Sequence, residues 1–550
     1  MNKSFQLIVA FVVFLAVGLT LAVSVGTGEY VLPIIIGLGS LSVILVATIG
    51  RHLPLDVTAI CLGIGGFYIA GKGFAYLNVG GLLFAGEALL ALGLLGYLWR
   101  VGKGHFRLMP QSPMAWALFL LGSYALIRLP YDFQTAGLMA LRDACVIYYT
   151  LFFFIAYQLG QDEKVQRLAP TILIALAVPG ILIDFLVFAF PGIQRPLYSI
   201  TVNGNPLILN HYDAIHPAAF GMILFLAMKA TARQGFNIFY FLAMFVVTAY
   251  MLGLGRGANY VAFAFVAFFL VMARQLKLLI GMAGGVVVLL CALLVLIEIN
   301  PSAGRGRLRQ IGDQLEVLVD PSKIASGKTT DADTADWRLQ WWGKIARDVN
   351  ATNPIFGLGF GYDIATDFHR QFFRTAFVDA DVGRTRGAHN AFFTVLARMG
   401  WLGGLFFAGV VVVQLTYFWR AALAFRDGLI PPSQAFFWGS NLCAFVITFF
   451  QYAWEASYSA IPIWTCMGLS YAYLDNLRKP RTEAETDKET ATPQLPAAAP
   501  LLAGAQPGPA SRPAPGRRLA PGRRLAPGRR LAPGPRLTPR PAPGPAQPSA

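Results

Sequence analysis

Runs of apolar residues about as long as a bilayer is thick constrain this chain more than any other feature. A membrane-crossing helix needs roughly 20 predominantly apolar residues. Fourteen such runs follow one another, at 5–25, 30–49, 54–71, 80–98, 113–129, 143–160, 169–190, 213–231, 237–254, 257–273, 277–297, 391–418, 434–454 and 459–476. The third, tenth and last are short, so the expected count is 12–14. Hydrophobic residues make up 56% of the 550 and charged residues only 13%. A soluble domain cannot hold that balance in water. The expected fold class is an all-α polytopic membrane protein. Phe5 to Val23 have the length of a signal peptide, but another span follows at once, and they read as a retained first helix. The expected organisation is an N-terminal transmembrane bundle (1–297), one large hydrophilic loop (298–388), C-terminal transmembrane helices (389–476) and a disordered basic tail (477–550).

Charge sets the expected orientation. Of the net +16, +9 falls from Leu477 onward, where 13 Lys/Arg stand against 4 Asp/Glu. With the N-terminus inside, the inner loops carry most of the remaining positive charge, including Arg51, Arg100, Lys103, Arg107, Lys164 and Arg167. The short outer loops hold only Lys72, Arg128, Arg142, Arg195 and Arg256. This is the positive-inside asymmetry, and it accounts for the basic balance without nucleic acid. Both termini are then cytoplasmic and the large loop faces outward, into the periplasm of a bacterium. The tail repeats Pro-Gly-Arg-Arg-Leu-Ala three times from residue 515 and has too little apolar content for a core. The five cysteines all lie in apolar runs, with neither zinc nor disulfide spacing.

The outer arginines are exceptions to topology and so need reasons. Lys72 and Arg128 read as ordinary interfacial or structural charges, and Arg142 has Asp143 beside it as a partner. Arg256 lies in Gly253-Leu254-Gly255-Arg256-Gly257-Ala258-Asn259, a tight turn whose following helix aims its N-terminal amides at the same point. The loop 191–212 crowds Arg195, Asn203, Asn205, Asn210, His211 and Tyr212, groups suited to sugar contacts. A His211/His216 metal pair lacks a third ligand, and the acidic residues of the large loop read as solvated charges, so no metal is expected.

Within the large loop, Trp337, Trp341, Ile345 and Val349 recur every four residues and predict an amphipathic helix over 334–349. Ile355 to Gly361 then form a glycine-rich turn, expected to pack the loop onto the membrane domain. The loop ends on Arg384, Arg386, His389 and Asn390, at the mouth of an apolar run. That run is longer than the membrane requires. Arg398 therefore stands either at the outer interface or turned into the bundle.

Arginine grips phosphate through a planar donor fork, and histidine exchanges protons near neutral pH. A histidine with several arginines at a membrane surface suits transfer of a group from a lipid-linked diphosphate. The arginines neutralise the departing diphosphate, and His389 accepts or orients the proton of an attacking hydroxyl. Such a leaving group requires neither metal nor ATP. Arg386 is the expected diphosphate contact of the loop end, and Arg384 reads as a solvated charge. Asn390, His211 and Tyr212 are candidate glycan or acceptor contacts.

Arg386-Gly387-Ala388-His389-Asn390-Ala391-Phe392-Phe393, followed by Met399-Gly400-Trp401-Leu402-Gly403-Gly404, resembles the signature of the O-antigen ligase and Wzy-type polymerase superfamily. So do Trp337-Arg338-Leu339 through the 355–361 turn, and Gly255-Arg256-Gly257-Ala258. The resemblance covers roughly 200–420. It implies a GT-C-like fold in the bacterial inner membrane. It also implies transfer of a glycan from undecaprenyl diphosphate to lipid A-core, another polymer unit or a protein hydroxyl, without cofactor. By the same resemblance His389 matches the family's histidine, Arg256 its turn arginine, Arg338 its loop arginine and Arg195, loosely, an outer-loop arginine. The turn reads Gly-Arg-Gly where Ser-Arg-Gly is usual, which removes a hydroxyl and keeps the arginine. The competing reading is a lipid-linked glycan flippase. That class is expected to show two similar halves, and no internal repeat is present here.

Overall fold

A computed structural model describes residues 54–80, 83–189, 201–202, 205–206, 208, 212–230, 237–254, 256–285, 330–365, 368, 387–451 and 453–478. The expected spans 5–25 and 30–49, most of 277–297 and the basic tail lie outside these residues. The chain divides into two units, Met1–Pro480 and Arg481–Ala550, and everything described belongs to the first.

The described part is built from helices: α1 (Leu55–Ala70), α2 (Ala85–Gly102), α3 (Pro113–Ala136), α4 (Leu138–Leu159), α5 (Glu163–Ala189), α6 (Tyr212–Ala230), α7 (Ile238–Gly253), α8 (Gly257–Met272), α9 (Leu276–Gly285), α10 (Thr330–Thr352), α11 (Ala391–Arg426), α12 (Ala435–Thr448) and α13 (Ser457–Asn476). The expected all-α polytopic fold is present. Among the described residues, α3, α4, α5 and α11 are long and apolar enough to cross a membrane by length and composition, and α1, α6, α7, α8 and α9 are shorter apolar helices. Among the described residues, extended pairing is confined to two minimal antiparallel ladders, Asn78–Gly80 with Leu83–Phe84 and Thr201–Val202 with Asn205–Pro206.

A helix apolar on every side needs lipid on one face and protein on the other. Ile127 on α3 is 79% exposed, and Phe268 on α8 and Val412 on α11 also point outward, while the opposite faces of these helices form one continuous core. Inside, α6 packs along α12, α13 along α4, and α3 along α11. Small residues allow the closest approaches: a side chain at Gly439 would collide with the Phe220 carbonyl, and one at Gly468 with that of Phe153.

The helix predicted over 334–349 is α10. Trp341, Ile345 and Val349 are buried on it, in a second, smaller core with Ile364, Phe368, Ala388 and Leu396. Trp341 donates its indole N–H to the Ile364 carbonyl (2.7 Å). This core seats α10 on the first turns of α11.

The long run after His389 is two helices joined at a kink rather than one. Gly400 has φ 65° and ψ −166°, which breaks α11 between Met399 and Trp401. The glycine-rich turn fills the break. Leu358 donates its N–H to the Ala397 carbonyl (2.7 Å), and Trp401 donates to the Pro354 carbonyl (2.8 Å). The turn thus satisfies backbone groups that a broken helix leaves orphaned. A side chain at Gly400 would strike the Ile355 carbonyl, so glycine is required there on two counts.

Charged pairs clamp the same turn from below. Arg398 is buried and ion-pairs with Asp143 (2.9 Å), and its guanidinium also donates to the Gly359 and Tyr362 carbonyls. Asp143 accepts the Gly361 N–H (2.8 Å). Arg128 pairs with Asp132 (2.9 Å) and donates to the Phe356 carbonyl, while Asp132 accepts the Phe360 N–H (2.8 Å). Asp143 therefore pairs with Arg398, and Arg398 faces the bundle interior. The expectation that this turn packs the loop onto the membrane domain is met by four charged side chains from α3, α4 and α11.

Candidate functional site

His389 occupies the junction between the large loop and α11. Its φ of 53° is left-handed, a conformation uncommon for non-glycine residues in which asparagine, aspartate and histidine are enriched. Asn390 follows as the N-cap: its side-chain oxygen accepts from Phe392 (2.9 Å) and Phe393 (3.3 Å), and its amide donates to the Phe449 carbonyl (2.9 Å). The Asn390 side chain thus caps α11 and ties it to the end of α12.

Three indoles of α10 build the wall around this turn. The His389 ring stands edge-on to Trp337 (centroids 5.9 Å apart) and to Trp341 (6.1 Å). Trp342 donates its N–H to the Ala388 carbonyl (2.8 Å) and stacks on Phe393 (5.2 Å). The Arg338 guanidinium lies over the Trp337 ring, 5.5 Å from its centroid. Trp337 is therefore shared by Arg338 and His389, so α10 brings to one place the loop arginine and the histidine that the sequence singles out. The tryptophans leave the imidazole a mostly apolar neighbourhood, in which a charged ligand group interacts more strongly than in water.

Arg256 stands at the α7–α8 turn, in extended conformation immediately before α8. Its carbonyl accepts from the Asn259 N–H (2.9 Å), and the Asn259 side chain donates to the Met251 carbonyl (2.7 Å), which closes the turn. Arg256 acts electrostatically on buried His216 and on Tyr250, whose hydroxyl donates to Asp184. Among the described residues, none lies within 4 Å of where a side chain at Gly257 would begin. Helix α8 packs against α11 and α12, with Phe269 against Phe425 near the C-terminal end of α11. Arg195, His211, Arg384 and Arg386 lie outside the described residues; Tyr212 begins α6, and only its backbone is described.

One acidic residue escaped the sequence reading. Glu455, in the short connection between α12 and α13, reaches under the His389 turn. It accepts the Thr394 hydroxyl (2.6 Å), and Thr394 in turn accepts the Ala388 N–H (3.0 Å). Enclosure of its carboxyl pushes its pKa up to about 7, with Asp143 adding to the rise and the Thr394 hydrogen bond and Arg398 opposing it. No local signal marks it: a carboxylate on a short loop between two apolar runs is ordinarily solvated, and its partners here are remote in sequence.

The described residues are those of a polytopic helical membrane protein in which α10 sets Arg338 and His389 against one indole, Trp337, while Arg256 stands at the separate α7–α8 turn. Residues 240–408 match the family model described as O-antigen ligase, a stretch running from α7 through the first half of α11 and taking in Arg256, Arg338 and His389. Over these residues the chain is similar to that family. No curated protein matches the chain.

Proposed function

We propose that this protein moves an oligosaccharide or polysaccharide from undecaprenyl diphosphate to an acceptor hydroxyl on the periplasmic face of the inner membrane, as an O-antigen ligase or surface-polysaccharide polymerase. The observation that supports it best is the left-handed His389 turn lodged against Trp337 and Trp341, with Arg338 on the other side of Trp337. The hydroxyl oxygen attacks the anomeric carbon, the bond from that carbon to the diphosphate oxygen breaks, and His389 takes the hydroxyl proton. Arg338 and Arg256 stabilise the negative charge that builds on the departing diphosphate, joined by Arg386 and Arg195. The diphosphate leaves with its own charge, so the reaction needs neither nucleotide nor metal. The acceptor is a glycan, a lipid A-core or a protein hydroxyl, with His211 and Tyr212 as its candidate contacts.

The arginine roles have a direct test. Arg256→Ala and Arg338→Ala are expected to lower kcat/KM for a lipid-diphosphate donor by about 100- to 1000-fold, the range for loss of a charge-stabilising donor. Lysine at either position recovers only part, because a point charge lacks the planar fork. Wild-type kcat/KM in both alanine variants, with the proteins folded, removes the arginines from the mechanism.

A further inference from the structure

The proposed chemistry uses His389 but says nothing of what holds it. His389 follows directly on Gly387-Ala388, and each of these is held from outside its own segment. Ala388 is fixed through both backbone groups: its carbonyl accepts from Trp342, and its N–H donates to Thr394 Oγ1 (3.0 Å). The Thr394 hydroxyl has one proton, and it goes to Glu455 Oε1 (2.6 Å). The direction of this relay is therefore set, from the Ala388 N–H through Thr394 to the Glu455 carboxylate. The other carboxylate oxygen lies against Gly387, so closely that a Cβ at 387 would overlap it. No residue larger than glycine fits there while Glu455 stays in place.

Glu455 is itself anchored. Trp454, fully buried, packs on Phe407 (4.9 Å) and Trp464 (4.7 Å) and donates to the Thr448 hydroxyl (3.1 Å). The Ser459 hydroxyl donates to the Ala453 carbonyl (3.0 Å), and the Cys145 thiol donates to the carbonyl of Glu455 itself (3.0 Å). A surface carboxylate needs no such frame. This one is carried by three elements, α4, α12 and α13, to a point beneath a turn contributed by a fourth.

We propose that Glu455 is the positioning residue of the His389 turn: through Thr394 and the Gly387–Ala388 backbone it holds the histidine in its left-handed, transfer-ready conformation. A hydrogen bond to an ionised carboxylate is roughly twice as strong as one to a neutral group. The turn is therefore held most firmly when Glu455 is charged. The groups that face it are Thr394 and Arg398 from α11 and Asp143 and Cys145 from α4. Burial places the Glu455 ionisation at about 7, so ionised Glu455 predominates above that pH and is lost as pH falls through it. Glu455 thereby couples the histidine turn to pH in the neutral range.

This inference rests on His389 as the transfer residue, and two readouts keep the two apart. The first is kinetic. Glu455→Ala and Thr394→Val are each expected to lower kcat at least tenfold with donor KM within about twofold of wild type. The double variant should fall no further than the single ones, because both cut one relay. Glu455→Gln retains an acceptor for Thr394 and keeps most of kcat at pH 8, but loses the wild-type rise in kcat between pH 6 and 8 that belongs to Glu455. The second readout is independent of transfer: diethyl pyrocarbonate modification of His389, followed by peptide mass spectrometry. Glu455→Ala should change the His389 modification rate severalfold while Glu455→Gln stays near wild type. Additive losses in the double variant, or an unchanged His389 modification rate in Glu455→Ala, overturn the positioning role. Changed His389 reactivity alongside full transfer activity in the His389 variants overturns the catalytic reading instead.

Discussion

Replacing His389 by asparagine is expected to reduce glycan transfer by about 100- to 10 000-fold while leaving the fold intact, the usual scale for a lost general base. Asparagine is the informative choice because of the backbone. His389 sits at φ 53°, and alanine there carries a conformational cost of roughly 1–2 kcal/mol that asparagine largely avoids. Asparagine also keeps a polar, planar side chain against Trp337 and Trp341 but accepts no proton at neutral pH. Loss of transfer in His389→Asn, with donor affinity retained, isolates proton transfer from loop folding. The measurement is initial rate and donor KM on purified variants, with thermal stability recorded for each. Retained transfer in a folded His389→Asn protein would move the base elsewhere, and Glu455 would be the next residue to test.

The second large effect is structural. Arg398→Met is expected to destabilise the protein by about 3–5 kcal/mol, the cost of leaving one partner of a buried ion pair uncompensated. Arg398 is 1% exposed and bound to Asp143, Gly359 and Tyr362 at once, so its loss strands the Asp143 carboxylate beneath the glycine-rich turn. Replacing both residues, as Arg398→Met with Asp143→Leu, should recover part of the loss, because an apolar pair of similar volume carries no stranded charge. Recovery is incomplete, since the Gly361 N–H then loses its acceptor. Thermal unfolding in detergent, monitored by tryptophan fluorescence, checks both. Equal stability of wild type and Arg398→Met would mean that the turn is held mainly by its backbone bonds to α11.

These two residues show where sequence reasoning reaches and where it stops. The four-residue spacing of Trp337, Trp341, Ile345 and Val349 is a local pattern, and the helix it predicts is α10, with the last three of these residues buried as expected. The turn at 355–361 was legible because its glycines leave few alternatives. Its docking was legible only in outline, because Arg128, Asp132, Asp143 and Arg398 lie far from it along the chain. The break at Gly400 was hidden inside an unbroken apolar run. A glycine in such a run is ordinarily tolerated in a helix, and only the carbonyls of Pro354 and Ile355 reveal that this one opens it. The cap role of Asn390 was legible too, since an asparagine directly before an apolar helix is a strong N-cap signal. Glu455 was missed because its target, the Gly387–Ala388 turn, is remote in sequence.

The most direct test of glycan transfer follows the donor itself. Purified wild-type protein in proteoliposomes is supplied with a glycan on undecaprenyl diphosphate and with an acceptor, without nucleotide and with EDTA, and the products are resolved by mass spectrometry. The transfer mechanism predicts glycan covalently joined to the acceptor and an equal amount of free undecaprenyl diphosphate. Intact donor that has only crossed to the other leaflet would contradict it and establish the chain as a transporter of lipid-linked glycans.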